Sequence, residues 1–483
     1  MTFDHYIDGK FTPPVEGRYL DVYEPATGQP YARCAAGTAA DVDRAVAAAR
    51  AAFPKWSGTA AEERSRILIK LADAIEAQLE RLAEAETRDQ GKPLALARSM
   101  DIPRAVQNIR FFATAVLHSE SQSFATDPIG LSYTLRRPRG VCGLISPWNL
   151  PLYLLTWKLG PALAYGNTVV AKPSELTPRT AHHLAELCSD AGLPPGVLNL
   201  VQGYGREAGA ALVAHPDVPT ISFTGGTVTG REIARVAAPM FKKLSLELGG
   251  KNPNLIFADA DLGKAIPMSV RAAFTNQGEV CLTGSRLLVE QSIYEQVLEA
   301  VVSGAKQLRC GDPLDPSTDQ GALVSREHWQ KVRDYIALAR EEGGQVLCGG
   351  EPPSDLPERV RSGWFMQPTV IAGLAPNARV NQEEIFGPVV SVIPFQNEAE
   401  ALSIANGTPY GLAATLWTEN LSRAHRVAES LQAGVVWINC WLVRDLRTPF
   451  GGVKQSGVGR EGGEDAYRFF TESKSVTLRV PSR

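Results

Sequence analysis

The chain has 483 residues, room for two to four domains at ~100–200 residues each. A net charge of −3 offers no basic footprint for nucleic acid or an anionic membrane surface, and no apolar run reaches the ~18 residues of a membrane span. The start "MTFDHYIDGKF" lacks a secretory-signal pattern, and seven cysteines without CxxC pairing argue against disulfides and zinc and for a reducing, cytoplasmic compartment.

Helical and strand patterns alternate along the chain. "ERSRILIKLADAIEAQLERLAEAE" places Leu68, Leu71, Ile75, Leu79 and Leu82 on one helical stripe. "VCGLIS" (141–146) and "NTVVAKP" (167–173) read as buried strands, short apolar runs closed by Pro or a polar residue. A helix opens with Thr177 as N-cap and Pro178 at its first position, and closes at Gly192. "VLNLV" (197–201), a helix near 206–214, "TISFTGG" (220–226), a helix from about 228 and "KLSLELGG" (243–250) continue the series. This is the βαβ pattern of a parallel sheet with helices on its faces. A second series starts near Asn252 with "NLIF", helices near 261–274 and 293–307 around "SRLLVEQ", and runs on to "VVSVIPF" and "GLAATLWT". The alternating pieces at 130–138 and 475–480 stand outside both series and read as an edge hairpin or an assembly arm.

Few residues point to chemistry by themselves. The histidines form no metal-ligand cluster, and no GxSxG or P-loop motif is present. The turn "TGGTVTG" (224–230) lies between a strand and a helix, where phosphate can meet backbone N–H groups or where a simple connection can sit. Cys281 follows Gly278 in "NQGEVCLTG" and reads either as an exposed loop thiol or as a small buried hydrophobe. Glu247 ends an apolar run beside two glycines, a place where a carboxylate needs a task or an ion-pair partner.

Seven segments occur in one order: "ISPWNLPL" (145–152), "GNTVVAKPSELTP" (166–178), "SFTGGT" (222–227), "SLELGGKNP" (245–253), "NQGEVC" (276–281), "EEIFGP" (383–388) and "PFGGVKQSGVGREGG" (449–463). Together they resemble the signature segments of the NAD(P)-dependent aldehyde dehydrogenase superfamily over essentially the whole chain. The resemblance implies an α/β fold with a Rossmann-like NAD-binding domain (1–118 and 139–249), a catalytic α/β domain (250–464) and a small β oligomerisation arm (119–138 and 465–483). A homodimer or homotetramer follows from such an arm.

The resemblance also implies roles. Cys281 is the nucleophile that attacks the aldehyde carbonyl, Asn149 is an oxyanion donor, and Glu247 is the base that activates water against the thioester. Trp148, Lys172, Glu175, Gly225, Gly226, Glu384 and Phe386 make up the implied cofactor site. A carboxylate at 175 would repel a 2′-phosphate, which favours NAD over NADP. Many members carry a serine where this chain has Gly226, so a hydroxyl near the pyrophosphate is missing.

One stretch departs from the apolar tunnel of most members. "NCWLVRDLRTPFGG" (439–452) puts Arg444 at a position that is usually apolar or aromatic, and "SMDIPRAVQNIRFF" (99–112) adds Arg104. A desolvated guanidinium needs an anionic partner, and its planar fork suits a carboxylate. The alternative is a structural ion pair with Asp445, for which Arg447 is the better candidate. Within the superfamily these segments look most like the 2-aminomuconate and 2-hydroxymuconate semialdehyde dehydrogenases, whose substrates carry a carboxylate far from the aldehyde. A dehydrogenase for a neutral or cationic aldehyde, such as a betaine-aldehyde type, and a catalytically silent structural protein are the competing readings.

Overall fold

Five strands lie side by side at the centre of one sheet in the computed structural model, which describes residues 1–479. Across the sheet they run Lys243–Glu247, Thr220–Thr224, Val141–Ile145, Thr168–Lys172 and Leu198–Leu200, all parallel. Val141–Ile145 and Thr168–Lys172 are buried along their whole length. Both faces are covered, so these strands read as continuous apolar runs instead of alternating ones. Gly457–Val458 adds an antiparallel strand on one edge, and His5–Ile7 with Lys10–Thr12 extends the other. The chain builds outward from Val141–Ile145 first to one side and then to the other. The carboxyl ends of the central strands therefore frame the crevice where such sheets bind ligands.

A second sheet has the order Gln345–Cys348, Thr369–Ala372, Val389–Phe395, Arg286–Glu290, Pro253–Ile256, Ala413–Trp417 and Val435–Ile438. Its strands are parallel except the first. The two outlying segments pair: Thr471–Arg479 runs antiparallel to Gly130–Pro138 from Thr471↔Pro138 to Arg479↔Gly130, and Ser123–Thr126 adds a third strand. Val480, the last residue of the expected strand, lies outside the described residues.

Three local expectations change. The 68–82 stripe belongs to two helices, Ala61–Ala77 and Leu79–Gln90, broken at Gln78 where φ is −105° and ψ is 21°. Leu68, Leu71, Ile75 and Leu82 still reach one buried face, so periodicity alone does not reveal the break. The helix expected to open at Thr177 is Arg179–Asp190, with Pro178 at the cap and Thr177 outside it. The one expected near 206–214 is a wide turn, Gly205–Gly209, followed by Ala210–Ala214.

One helix supplies a wall of the site. Pro151–Ala164 begins with proline at its first position, where no N–H is needed, and every residue is buried, Lys158 included. Tyr153 and Trp157 are four residues apart and so project from the same face.

Candidate active site

The loop carrying Cys281 is fixed by backbone strain and by amides from two directions. Asn276, Gln277 and Gly278 all have left-handed φ (54°, 55° and 72°). A Cβ at Gly278 would strike the Gly387 carbonyl, so only glycine fits there. The Asn149 side-chain amide donates to the Glu279 carbonyl at 2.9 Å, and Asn252 Nδ2 donates to the Cys281 carbonyl at 2.7 Å. Asn149 is held in turn by its own carbonyl, which accepts from Lys92 Nζ at 3.0 Å and Asn276 Nδ2 at 3.2 Å. Lys92, wholly buried, also donates to Asp101 at 2.5 Å.

Cys281, Glu247 and Arg444 line a single cavity with Tyr153, Trp157, Phe450 and Glu461. Glu247 sits at the end of its strand, buried, with Oε1 lacking any hydrogen-bond partner. A Cβ at Gly451 would come 2.7 Å from that oxygen, so the glycine of "PFGG" leaves it room. Behind Glu247, Glu461 accepts from Lys158 Nζ at 2.7 Å and Ser222 Oγ at 3.1 Å. Burial, with Glu461 beside it, holds the Glu247 carboxyl well above the ordinary carboxylate range, while Lys158, Arg444 and Arg460 oppose the shift. Burial, then the carboxyls of Glu247 and Glu384, pushes the Cys281 thiol up to about 12, with Arg444 pulling it down.

The arginines are arranged differently from one another. Arg447 is exposed and bonded to Asp445 at 2.6 Å, and this pairing holds the Asp445 carboxyl down at about 2. It is a surface ion pair, and Arg447 is not among the residues that line the cavity. Arg444 has no carboxylate partner among the described residues. Its guanidinium lies 3.8 Å from the Phe450 ring centre and 5.2 Å from that of Trp157, and Nη1 donates to the Tyr153 hydroxyl at 3.1 Å. Such ring contacts stabilise a cation by about 0.5–2 kcal/mol each and leave its N–H edges free. Arg104 lies over the other side of Tyr153, 5.6 Å from the ring centre, with Nε and Nη2 buried and unpartnered.

The remaining candidates gather at the carboxyl ends of the central strands. Lys172 Nζ bonds Glu175 at 2.9 Å. Gly225 N donates to the Glu247 carbonyl at 3.0 Å, and Gly226 caps the helix Thr227–Ala237. A Cβ on Gly226 would meet nothing within 4 Å, so the turn holds open space in front of a helix N-terminus. That opening suits a pyrophosphate, which backbone N–H groups there can bind. Trp148 packs edge-on to Phe386 at 5.3 Å, and Glu384 accepts from Gly250 N at 2.9 Å. His328, unnoticed in the sequence, ties this wall to the cysteine loop. It packs 5.1 Å from Trp148, its Nε2 lies 2.7 Å from the Phe386 carbonyl, and Glu279 is 3.5 Å away.

Sequence reasoning also passed over Tyr153, Lys92, Lys158 and Glu461. A signal existed for the last two. Lys158 stands inside the apolar helix "LYLLTWKLG", and Glu461 stands among glycines, as Glu247 does.

Residues 11–476 match the aldehyde dehydrogenase family. The chain is 54% identical to the 2-aminomuconic semialdehyde dehydrogenase of Danio rerio, over 99% of this chain and 98% of that one. It is 48% identical to the 2-hydroxymuconic semialdehyde dehydrogenase of Pseudomonas sp. (strain CF600), over 99% of each. PnpE from Pseudomonas sp. WBC-3, whose structure has been solved in complex with nicotinamide adenine dinucleotide, superposes with a TM-score of 0.98 at 46% identity, covering 100% of this chain and 99% of that one. Signature segments, paired sheets and full-length similarity agree: the chain belongs to the aldehyde dehydrogenase family.

Proposed function

We propose that the protein oxidises a semialdehyde bearing a remote carboxylate, of the 2-aminomuconate or 2-hydroxymuconate 6-semialdehyde type, to the dicarboxylic acid. The observation that carries this is a pair of guanidiniums, Arg444 and Arg104, held by aromatic rings beside the Cys281 cavity with no carboxylate of their own among the described residues. A cationic aldehyde would meet two like charges there.

Cys281 Sγ attacks the aldehyde carbon, and its proton must leave, since burial keeps the resting thiol protonated. Glu247, facing the same cavity, is the carboxylate placed to take it. The Asn149 amide, held against the cysteine loop, is placed to stabilise the oxyanion, a contribution of ~3–4 kcal/mol for such a donor. NAD, when bound, supplies the hydride acceptor. Lys172 and Glu175 would hold its adenosine ribose, the Gly225–Gly226 turn its pyrophosphate, and Glu384, Trp148 and Phe386 its nicotinamide end. Once the proton taken from Cys281 has passed to solvent, Glu247, with Oε1 free, activates water to hydrolyse the Cys281 thioester. Glu461, bonded to Lys158 and Ser222, stands behind it as a second carboxylate.

The same reading divides the chain into a cofactor domain, a catalytic domain and an arm. The arm exposes Phe124, Ile129, Leu131 and Leu478, which supports burial against a second copy and hence a dimer or tetramer. Seven free cysteines support a cytoplasmic home, and no helix among the described residues is long and apolar enough to cross a membrane.

The test is NADH formation with 2-hydroxymuconate semialdehyde beside an uncharged aldehyde of similar length. A kcat/KM at least ~100-fold higher for the carboxylated substrate, ~2.7 kcal/mol of selective transition-state binding, is the expected result. Equal values would discard the substrate and keep the dehydrogenase.

A further inference from the structure

The tyrosine between the two arginines is the unexplained member of the cavity wall. Tyr153 is buried on the helix Pro151–Ala164, packed in a small apolar cluster with Leu150, Leu154 and Met100. Its own carbonyl accepts from Asn108 Nδ2 and Thr156 Oγ1, both at 3.0 Å, so the backbone from which the ring projects is anchored. Arg104 lies over one face of the ring, and Arg444 donates to the hydroxyl oxygen. The phenol therefore serves both cations at once, the negative face of its ring toward one and an oxygen lone pair toward the other. Two guanidiniums at one mouth repel each other, and a neutral acceptor between them lets both stay.

A second consequence concerns the hydroxyl proton. The Tyr153 oxygen is an acceptor in its bond with Arg444, and its own O–H has no acceptor among the described residues. That proton remains available as a donor at the rim of the cavity shared with Cys281. Nε and Nη2 of Arg104 are likewise buried without partners, and one bond to Tyr153 leaves most of the Arg444 donors unused. Arg104 and Arg444 both contact Tyr153, so unused donors of three neighbouring side chains lie close to one another, which matches an acceptor-only group with four lone-pair sites, a carboxylate.

We infer that Tyr153 is a specificity-determining residue: its ring and hydroxyl order Arg104 and Arg444, and its O–H is the third donor to the substrate's remote carboxylate. This rests on the carboxylated-semialdehyde reading above and adds to it a neutral residue whose removal changes no charge. The geometry also explains the choice of residue. Phenylalanine would keep the ring under Arg104 but leave Arg444 Nη1 without its acceptor, and leucine would remove both supports.

The test compares the wild type with Tyr153→Phe, Arg104→Ala and Arg444→Ala on 2-hydroxymuconate semialdehyde and on an uncharged aldehyde of similar length. Tyr153→Phe is expected to lower kcat/KM for the carboxylated substrate ~10–100-fold, mostly through KM, the range for a hydrogen bond to a charged group. The loss on the uncharged aldehyde should be at least ~10-fold smaller. Equal losses on both would make Tyr153 merely structural and overturn the inference. No loss on the carboxylated substrate, with Arg444→Ala still discriminating, would leave the hydroxyl idle and overturn it alone. If neither arginine variant discriminates, the carboxylate reading falls and the inference falls with it.

Discussion

The reacting end of the cavity, its floor, and the arginine side, its mouth, handle charge in opposite ways. At the floor, Cys281 and Glu247 are pushed toward their neutral forms by burial, and the neighbouring carboxylate Glu461 is matched by the ammonium of Lys158. At the mouth, Arg104 and Arg444 are propped on rings with no carboxylate in ion-pair contact among the described residues, Asp445 acting on Arg104 only from a distance. A neutral floor keeps nucleophile and base from repelling a polar substrate before it arrives. An unpaired cationic mouth has standing electrostatic attraction to offer an anion, and the attraction is stronger where water is partly excluded. The difference separates two jobs, bond making at one end and selection at the other, and the predictions follow that division.

Removing the nucleophile should produce the largest effect. Cys281→Ala is expected to abolish NADH formation on every aldehyde, a loss of at least ~10⁴-fold for a group on which all turnover depends, while NAD still quenches tryptophan fluorescence as in the wild type. An active alanine variant would show that the floor works some other way. Glu247→Gln comes next, with a steady-state loss of ~10²–10⁴-fold, the range for a positioned base. Rapid mixing separates its two assigned tasks: a Glu247 that takes the Cys281 proton should slow the first burst of NADH when replaced, and an undiminished burst would confine it to the thioester. The floor should also show in the pH profile. The Glu247 carboxyl is raised, so it is protonated at low pH, and hydrolysis should speed up as pH rises toward that raised value. A pH-independent steady state would contradict this.

At the mouth the effect is smaller and selective. Arg444→Ala should raise KM for carboxylated aldehydes by ~10–100-fold and change neutral aldehydes far less. An equal loss on both would turn the guanidinium into a packing element for Phe450 and Trp157, and the contrast between floor and mouth would collapse.

The same contrast marks what the sequence discloses. The parallel strands were legible because each is a short, mostly apolar run between turn residues, with charges only at its ends, and the segments bearing Cys281, Glu247 and Asn149 were legible as ordered motifs. Legibility failed where contacts join distant parts of the chain. Arg444 meets Tyr153 across 291 positions, and Glu461 reaches Lys158 across 303. Periodicity tells which face of Pro151–Ala164 is buried, here all of them, but not what is laid against it. The break at Gln78 was hidden for a related reason, since both helices bury the same side of one pattern.

The smallest expected effect probes how far the uncharged character of the floor extends. His328 is buried behind the cofactor wall, and burial, with Lys331 nearby, lowers its ring from the ordinary 6.5 to about 4. Between those values the unfolded chain binds a proton that the folded chain does not. Stability should therefore fall as pH drops from about 6.5 toward about 4, by at most about 1.4 kcal/mol per pH unit for one proton, and this loss should stop below about 4. His5, His182 and His183 are lowered as well, so the raw melting curve mixes several groups. Subtracting the melting temperatures of His328→Gln isolates the one in question, because its Nε2 amide can still donate to the Phe386 carbonyl but does not titrate. The wild type should lose ground to the variant only as the pH falls below 6.5. A difference that stays constant with pH would mean His328 meets solvent or a counter-ion, and the uncharged region would then end at Glu279 and not extend into the cofactor wall.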